Sequence, residues 1–316
     1  MNGKQRIQLS MLAEKQGLCS YYLENVKEPM LVISKSKNEI IDPMGIENNL
    51  IEKFSNTIGY PIKKETVLQD CKLFGVEKEW QLFLDELKLY GKSGFKRREE
   101  TFTEFIIDLI RLSSKYVELM KEPPILMGKV SKPFTIASMV YRKENENNKF
   151  ISFDIIGSIF LAYYQLGIIN KPTWSEFAGQ FTSSKFLLNN KKLRVKIFGK
   201  LDPGCKTHNV IINNTILPIW DKLKHHFFGQ LIAIEGDEIV ITTDNYERDL
   251  QIIKDIQLHN YVRVLCYSLT THMIEKNTYF SRHFLFPENK KPDIKCANIE
   301  NKYDAYVDIF KKLPTT

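Results

Sequence analysis

"KFISFDIIGSIFLAYYQLGII", residues 149–169, decides how this 316-residue chain is read. Its opening, "FISFD", is an apolar run of β-branched and aromatic residues and reads as a buried strand. The next run, "SIFLAYYQLG", reads as a buried helix. One carboxylate, Asp154, stands where the strand gives way to the helix. An acid at that junction raises the question of what it serves.

A second stretch, "GQLIAIEGDEIVITT" (229–243), places two β-rich runs around a glycine-aspartate turn. It reads as a β-hairpin with Asp237 and Glu238 at its tip. Taken alone, Gly236 and Asp237 are ordinary turn formers. Paired with the first stretch they gain a meaning, because Asp154 and the hairpin acids converge if the two strands are neighbours. Carboxylates brought together repel and raise one another's pKa unless a cation neutralises them. Magnesium takes one or two protein carboxylates and completes its shell with phosphate and water. Two such ions about 4 Å apart serve phosphoryl transfer.

Between the two acid sites lies "NNKKLRVKIFGKLDPG" (189–204). On a helix, Lys192, Lys196 and Lys200 form one basic stripe, with Arg194 and Phe198 paired on another face. Leu193, Ile197 and Leu201 then face the core. Such a stripe is a solvated helix face or a site for a triphosphate and its base.

Strand-end aspartate, basic helix with R-x-x-x-F-G and hairpin with Asp-Glu together resemble motifs A, B and C of the polymerase palm. The resemblance is nearest to family A DNA polymerases and the single-subunit RNA polymerases, and covers roughly residues 150–245. It implies that Asp154 and Asp237 hold Mg2+, with Glu238 assisting at the hairpin tip. It further implies that Lys192, Arg194, Lys196 and Lys200 meet a nucleoside triphosphate, and that Phe198 packs on the incoming base. The chain departs from the pattern where the family's motif B tyrosine and arginine fall on Asp202 and Asn190. Ile159 stands where DNA polymerases carry a glutamate, so sugar selection does not carry over. Motifs B and C are also closer together than in the full enzymes. The Lys-, Asn- and Ile-rich wording is similar to that of proteins from AT-rich large DNA viruses.

Composition bounds these readings. With 43% hydrophobic and 12% aromatic residues the chain fills a real core. No apolar run reaches the roughly 18–20 residues of a membrane helix, and "MNGKQRIQLSMLAEKQG" lacks the apolar stretch of a signal peptide. Five scattered cysteines with no C-x-x-C pair argue against a disulfide framework or structural zinc and fit a reducing, cytoplasmic compartment or a viral factory. His225-His226 lacks a third ligand at metal spacing, and Trp80, Trp174 and Trp220 read as core. Cys205 and His208 have no orienting acid and are not read as a nucleophile pair. A net charge of +7 permits a polyanionic partner without demanding one.

For the rest of the chain, 8–25 reads as a helix, 29–41 as a strand pair and 47–90 as several short helices. "GKSGFKRREE" (91–100) reads as a loop and roughly 100–121 as an amphipathic helix stopped by Pro123-Pro124. "PFTIASMVYRK" (133–143) reads as a strand, 247–260 as a helix, 261–287 as strands and 301–313 as a final helix. The expected fold is α+β: a palm-like antiparallel sheet with packed helices (126–316) after a mostly helical accessory domain (1–125). The strand at 150–154 should lie beside the 230–242 hairpin. The expected function is nucleic-acid binding with magnesium-dependent nucleotidyl transfer, without membrane attachment and with replication or transcription proteins as possible partners. The alternative is a catalytically inactive palm-like scaffold or binding protein; a metal-dependent nuclease is a third option that lacks its acid-x-Lys signature.

Overall fold

The computed structural model describes residues 18–23, 30–35, 45–121, 136–202, 206–274, 277–288, 292–296 and 302–312. The chain divides into two compact units, Met1–Glu122 with Tyr163–Pro203, and Pro123–Ala162 with Gly204–Thr316. In chain order the elements begin with β1 (Leu18–Leu23), β2 (Met30–Lys35), α1 (Asn48–Ile58), α2 (Val67–Phe74), α3 (Glu77–Arg111) and α4 (Ser114–Lys121). Then come α5 (Ile136–Met139), β3 (Lys149–Ile155), α6 (Ser158–Gln165), α7 (Trp174–Ala178), α8 (Lys185–Asn189) and α9 (Lys191–Leu201). The chain continues with α10 (Lys206–Ile211), α11 (Leu217–Phe227), β4 (Leu231–Glu235), β5 (Glu238–Thr243) and α12 (Tyr246–Asp255). It closes with β6 (Val262–Ile274), β7 (Asn277–Phe286), β8 (Asp293–Cys296) and α13 (Lys302–Lys312). This is the expected α+β class.

The first unit is a helical assembly around an aromatic core. Phe54 meets the edge of Trp80 at 4.9 Å, Phe83 meets Phe95 at 5.3 Å, and Phe95 meets Phe186 at 5.3 Å. The expected loop at 91–100 is helical: α3 runs through it, and Gly91 alone leaves helical geometry (φ 65°, ψ 167°). Glycine tolerates that conformation, and the helix resumes because Phe95, Phe102 and Ile106 fall on one buried face. Arg98 is held within this unit by Glu86 (2.7 Å) and Thr182 (3.2 Å) and lies over the Tyr90 ring. The expected helix at 8–25 is also corrected. Residues 18–23 are a strand, paired antiparallel with β2, in keeping with the strand preference of Tyr21-Tyr22; residues 8–17 lie outside the described set.

The second unit is built on a six-stranded sheet in the order β4-β5-β3-β6-β7-β8, antiparallel throughout. The expectation for β3 holds: it pairs with β5 of the 231–243 hairpin on one side and with β6 on the other. The hairpin β4–β5 lies on the β5 side of β3, while α12 carries the chain across to β6, as in a split β-α-β-β-α-β arrangement. Asp249 fastens α12 to the sheet: fully buried, it accepts from Thr243 Oγ1 at 2.7 Å and from its neighbour Arg248.

Residues 136–139 are helical, not a strand as "PFTIASMVYRK" suggests. The amide of Ile136 donates to Glu235 Oε2 at 2.5 Å, and Asn145 Nδ2 donates to the carbonyls of Met139 and Val140, both at 2.8 Å. Side chains thus satisfy both ends of a turn too short to stand alone. Ile136 and Val140, four apart, pack with Phe150, Ala233, Val240, Tyr267 and Leu269. No helix among the described residues is long and apolar enough to cross a membrane.

Candidate functional site

Register places the acids. Asp154 is directly opposite Glu238 on β5 and Arg263 on β6. The amide of Ile155 donates to the Asp237 carbonyl at 2.9 Å, so the hairpin tip is tied to the end of β3. Gly236 turns the hairpin with a φ of 58°, the left-handed conformation that two-residue hairpin loops require. Asp154, Asp237 and Glu238 are therefore brought to one end of one sheet.

Each of the three has a defined neighbour. Asp154 is ion-paired with Arg263, whose side chain is 49% exposed. Asp237 accepts from Ser158 Oγ at 2.6 Å, at the start of α6. Glu238 accepts from Ser152 Oγ, and Arg282 lies 3.8 Å away.

Arg282 is the centre of a polar network on the sheet. Only 8% of its side chain is exposed, and it grips Asp293 with two donors, Nε to Oδ1 at 2.6 Å and Nη2 to Oδ2. Its guanidinium also lies over the rings of Tyr267 (5.1 Å) and Phe284 (5.5 Å). Burial works against the charge, but the bidentate Asp293 contact wins and raises the pKa of Arg282 above its ordinary value. Burial pushes Tyr141 and Tyr267, beside this network, above the phenol range.

The basic helix belongs to the first unit. Asn190 caps α9, accepting from the Leu193 amide at 2.9 Å. Lys192 donates to Asn56 Oδ1 at 2.7 Å, and Lys200 pairs with Glu104 at 2.7 Å. Lys192 and Lys196, together with Lys53, Asn49, Asn56 and Asn190, line a cleft of about 230 Å³ between α1 and α9. Lys53 is ion-paired at 3.0 Å with the buried Glu99, and Glu52 also lines the cleft. Half-burial lowers the pKa of Arg194. Phe198 is 3% exposed and packs on Tyr163 (5.1 Å) and Trp174 (6.1 Å). In that position it is a core residue, without a face for a base.

Asp154 and Asp237 carry hard carboxylate oxygens, the ligand type magnesium takes, and each is engaged here, by Arg263 and by the Ser158 hydroxyl. Among the described residues no group of three His, Cys, Asp or Glu is placed to hold a metal. Trp80 and Trp174 are buried, as expected, and His225 and His226 lie in the last turn of α11. Cys71 and Cys266 are buried free thiols whose pKa burial pushes up to about 12.

Sequence reasoning missed Arg263, Arg282 and Lys53. The first two interrupt strand runs, "VRVLCY" and "FSRHFLF", and a lone charge in a buried strand is a signal for a partner. Lys53 lies well over a hundred residues from the basic helix, and nothing in its surroundings announces the cleft. Comparison with protein-family models, with curated proteins and with solved structures found no match.

Proposed function

We propose that this chain binds nucleic acid on a palm-like sheet and that Asp154 and Asp237 serve magnesium-dependent nucleotidyl transfer. The observation that carries the reading is the β3–β5 pairing with its Ile155–Asp237 backbone bond, which sets the strand-end acid beside the hairpin acids. Magnesium bound there would supply charge for a triphosphate and lower the pKa of an attacking hydroxyl. The chain's own part is to hold the two carboxylates on a rigid sheet end, with Ser158 orienting Asp237. Glu238, engaged with Ser152 and Arg282, acts as a support of the hairpin tip. Lys192 and Lys196 in the α1–α9 cleft are the phosphate contacts for a nucleic-acid backbone.

A second reading, an inactive palm-like scaffold in replication or transcription, is favoured by one observation: Arg263 already neutralises Asp154. Primer extension on DNA and RNA templates separates the two. Under the first reading Asp237→Asn abolishes incorporation while the protein still folds, because an Asn suits the turn as well as Asp, and Glu238→Gln retains activity. No extension by the wild type with magnesium leaves the scaffold reading.

A further inference from the structure

Phe198, the residue expected to stack on a base, is buried, but the acid end of the sheet carries an aromatic pair of its own. The ladder that sets Asp154 opposite Arg263 continues one step outward, where the Ile156 amide donates to the Tyr261 carbonyl at 2.9 Å. Ile156 and Tyr261 are the turn residues immediately beyond β3 and β6, each two positions from Asp154 and Arg263. Tyr261 is half-exposed and stacks on the exposed ring of His259, with centroids 4.8 Å apart and planes 14° from parallel. The turn that presents them is closed by the Val262 amide donating to the His259 carbonyl at 2.9 Å. Ile156, 54% exposed, adds an apolar surface beside them.

We infer that Tyr261 and His259 form a stacking platform for a nucleobase and that Arg263 contacts the phosphates of the same nucleotide. The inference rests on the reading of this sheet end as a nucleotide site. Tyr261 and Arg263 are two residues apart, at most about 7 Å along the chain, a spacing that lets one ligand carry a ring to the first and an anion to the second. A planar base stacks on an aromatic ring regardless of its identity, and a guanidinium receives phosphate oxygens in pairs. Arg263 is available for this because its pairing with Asp154 lies at the surface, where ion pairs are weak and exchange readily. Nucleotide binding would draw Arg263 to the phosphates and leave Asp154 to magnesium.

The test is equilibrium dialysis of the full chain with ATP and with inorganic tripolyphosphate, which has the phosphates and no base, each in magnesium and in EDTA. The wild type should bind ATP more tightly than tripolyphosphate. Tyr261→Ala should weaken ATP binding roughly tenfold, the scale of one base–aromatic stack, and leave tripolyphosphate unchanged. Tyr261→Phe should behave as wild type, and Arg263→Gln should weaken both ligands. If Tyr261→Ala does not fold, His259→Ala serves in its place with a smaller loss of the same selectivity. Equal affinity of the wild type for ATP and tripolyphosphate, or unchanged ATP binding by Tyr261→Ala, overturns the platform. The contrast between ATP and tripolyphosphate is read in EDTA as well, so it survives failure of the magnesium reading and is lost only if the platform itself is wrong.

Discussion

Asp293→Asn removes half of the charge pairing around Arg282 while keeping side-chain size. Removing one partner of a buried ion pair costs about 3–5 kcal/mol, because the other charge stays buried and uncompensated. Two features of this site place the expected loss near the lower bound, at about 3 kcal/mol. Glu238 remains 3.8 Å from the guanidinium, and Asp293 is 32% exposed, so water reaches the vacated side. For a unit of roughly 150 residues that corresponds to a fall in melting temperature of about 6–12 °C. The assay is urea or thermal unfolding of four proteins: wild type, Asp293→Asn, Arg282→Met and the double variant. Arg282→Met should be the milder of the single changes, since the carboxylates it leaves behind, Asp293 and Glu238, are 32% and 20% exposed and reach water more readily than the 8% exposed guanidinium. Asp293→Asn made in the Arg282→Met background should cost less than about 1 kcal/mol, as expected for residues that act through one another. An Asp293→Asn variant within about 0.5 kcal/mol of wild type, or one equally destabilised with and without Arg282, refutes the reasoning.

A pH dependence is expected around Ser281, whose Oγ is shared by His272 Nε2 at 2.7 Å and His283 Nε2 at 2.8 Å. Burial holds both imidazoles below their ordinary value of 6.5; for His272, His283 and Lys312 push further down against Asp308 and Glu146. The folded chain thus binds fewer protons than the unfolded one, so stability is full above about pH 6.5 and falls as pH drops through the window below it. Chemical denaturation between pH 7.5 and 5 should show this slope, flattened in His283→Gln; an unchanged slope contradicts the assignment. The double variant Lys192→Gln/Lys196→Gln should lower the slope of log affinity against log salt by roughly one unit per lost phosphate contact. Lys200→Gln should do less, because Glu104 holds its ammonium at 2.7 Å; unchanged slopes for the double variant would leave α9 a solvated helix.

The sheet was legible because its signals are local. "FISFD" and "LIAIEGDEIVITT" read as strand and hairpin, and the acids in them asked to be neighbours, as β3 and β5 are. The errors fell where tertiary contacts override local preference. Gly91 and Gly94 suggested a loop, but the buried spacing of Phe95, Phe102 and Ile106 keeps α3 going. The β-branched residues of 133–143 suggested a strand, but Glu235 and Asn145, supplied from either side, hold a helical turn. The role given to Phe198 came from motif spacing alone, and spacing does not reveal that Tyr163 and Trp174 enclose the ring. Ion pairs such as Asp154–Arg263 span more than a hundred residues and become visible only once the register is known.

Manganese binding followed by electron paramagnetic resonance tests the central claim most directly, since Mn2+ shares the oxygen preference of Mg2+ and its free form is counted from its signal. Titrated into wild type, Asp154→Asn and Asp237→Asn, the ion should be taken up by the wild type and be displaced by magnesium. Both variants should leave it free in solution. Equal uptake by all three proteins, or none by the wild type even with ATP present, would contradict a shared cation at Asp154 and Asp237.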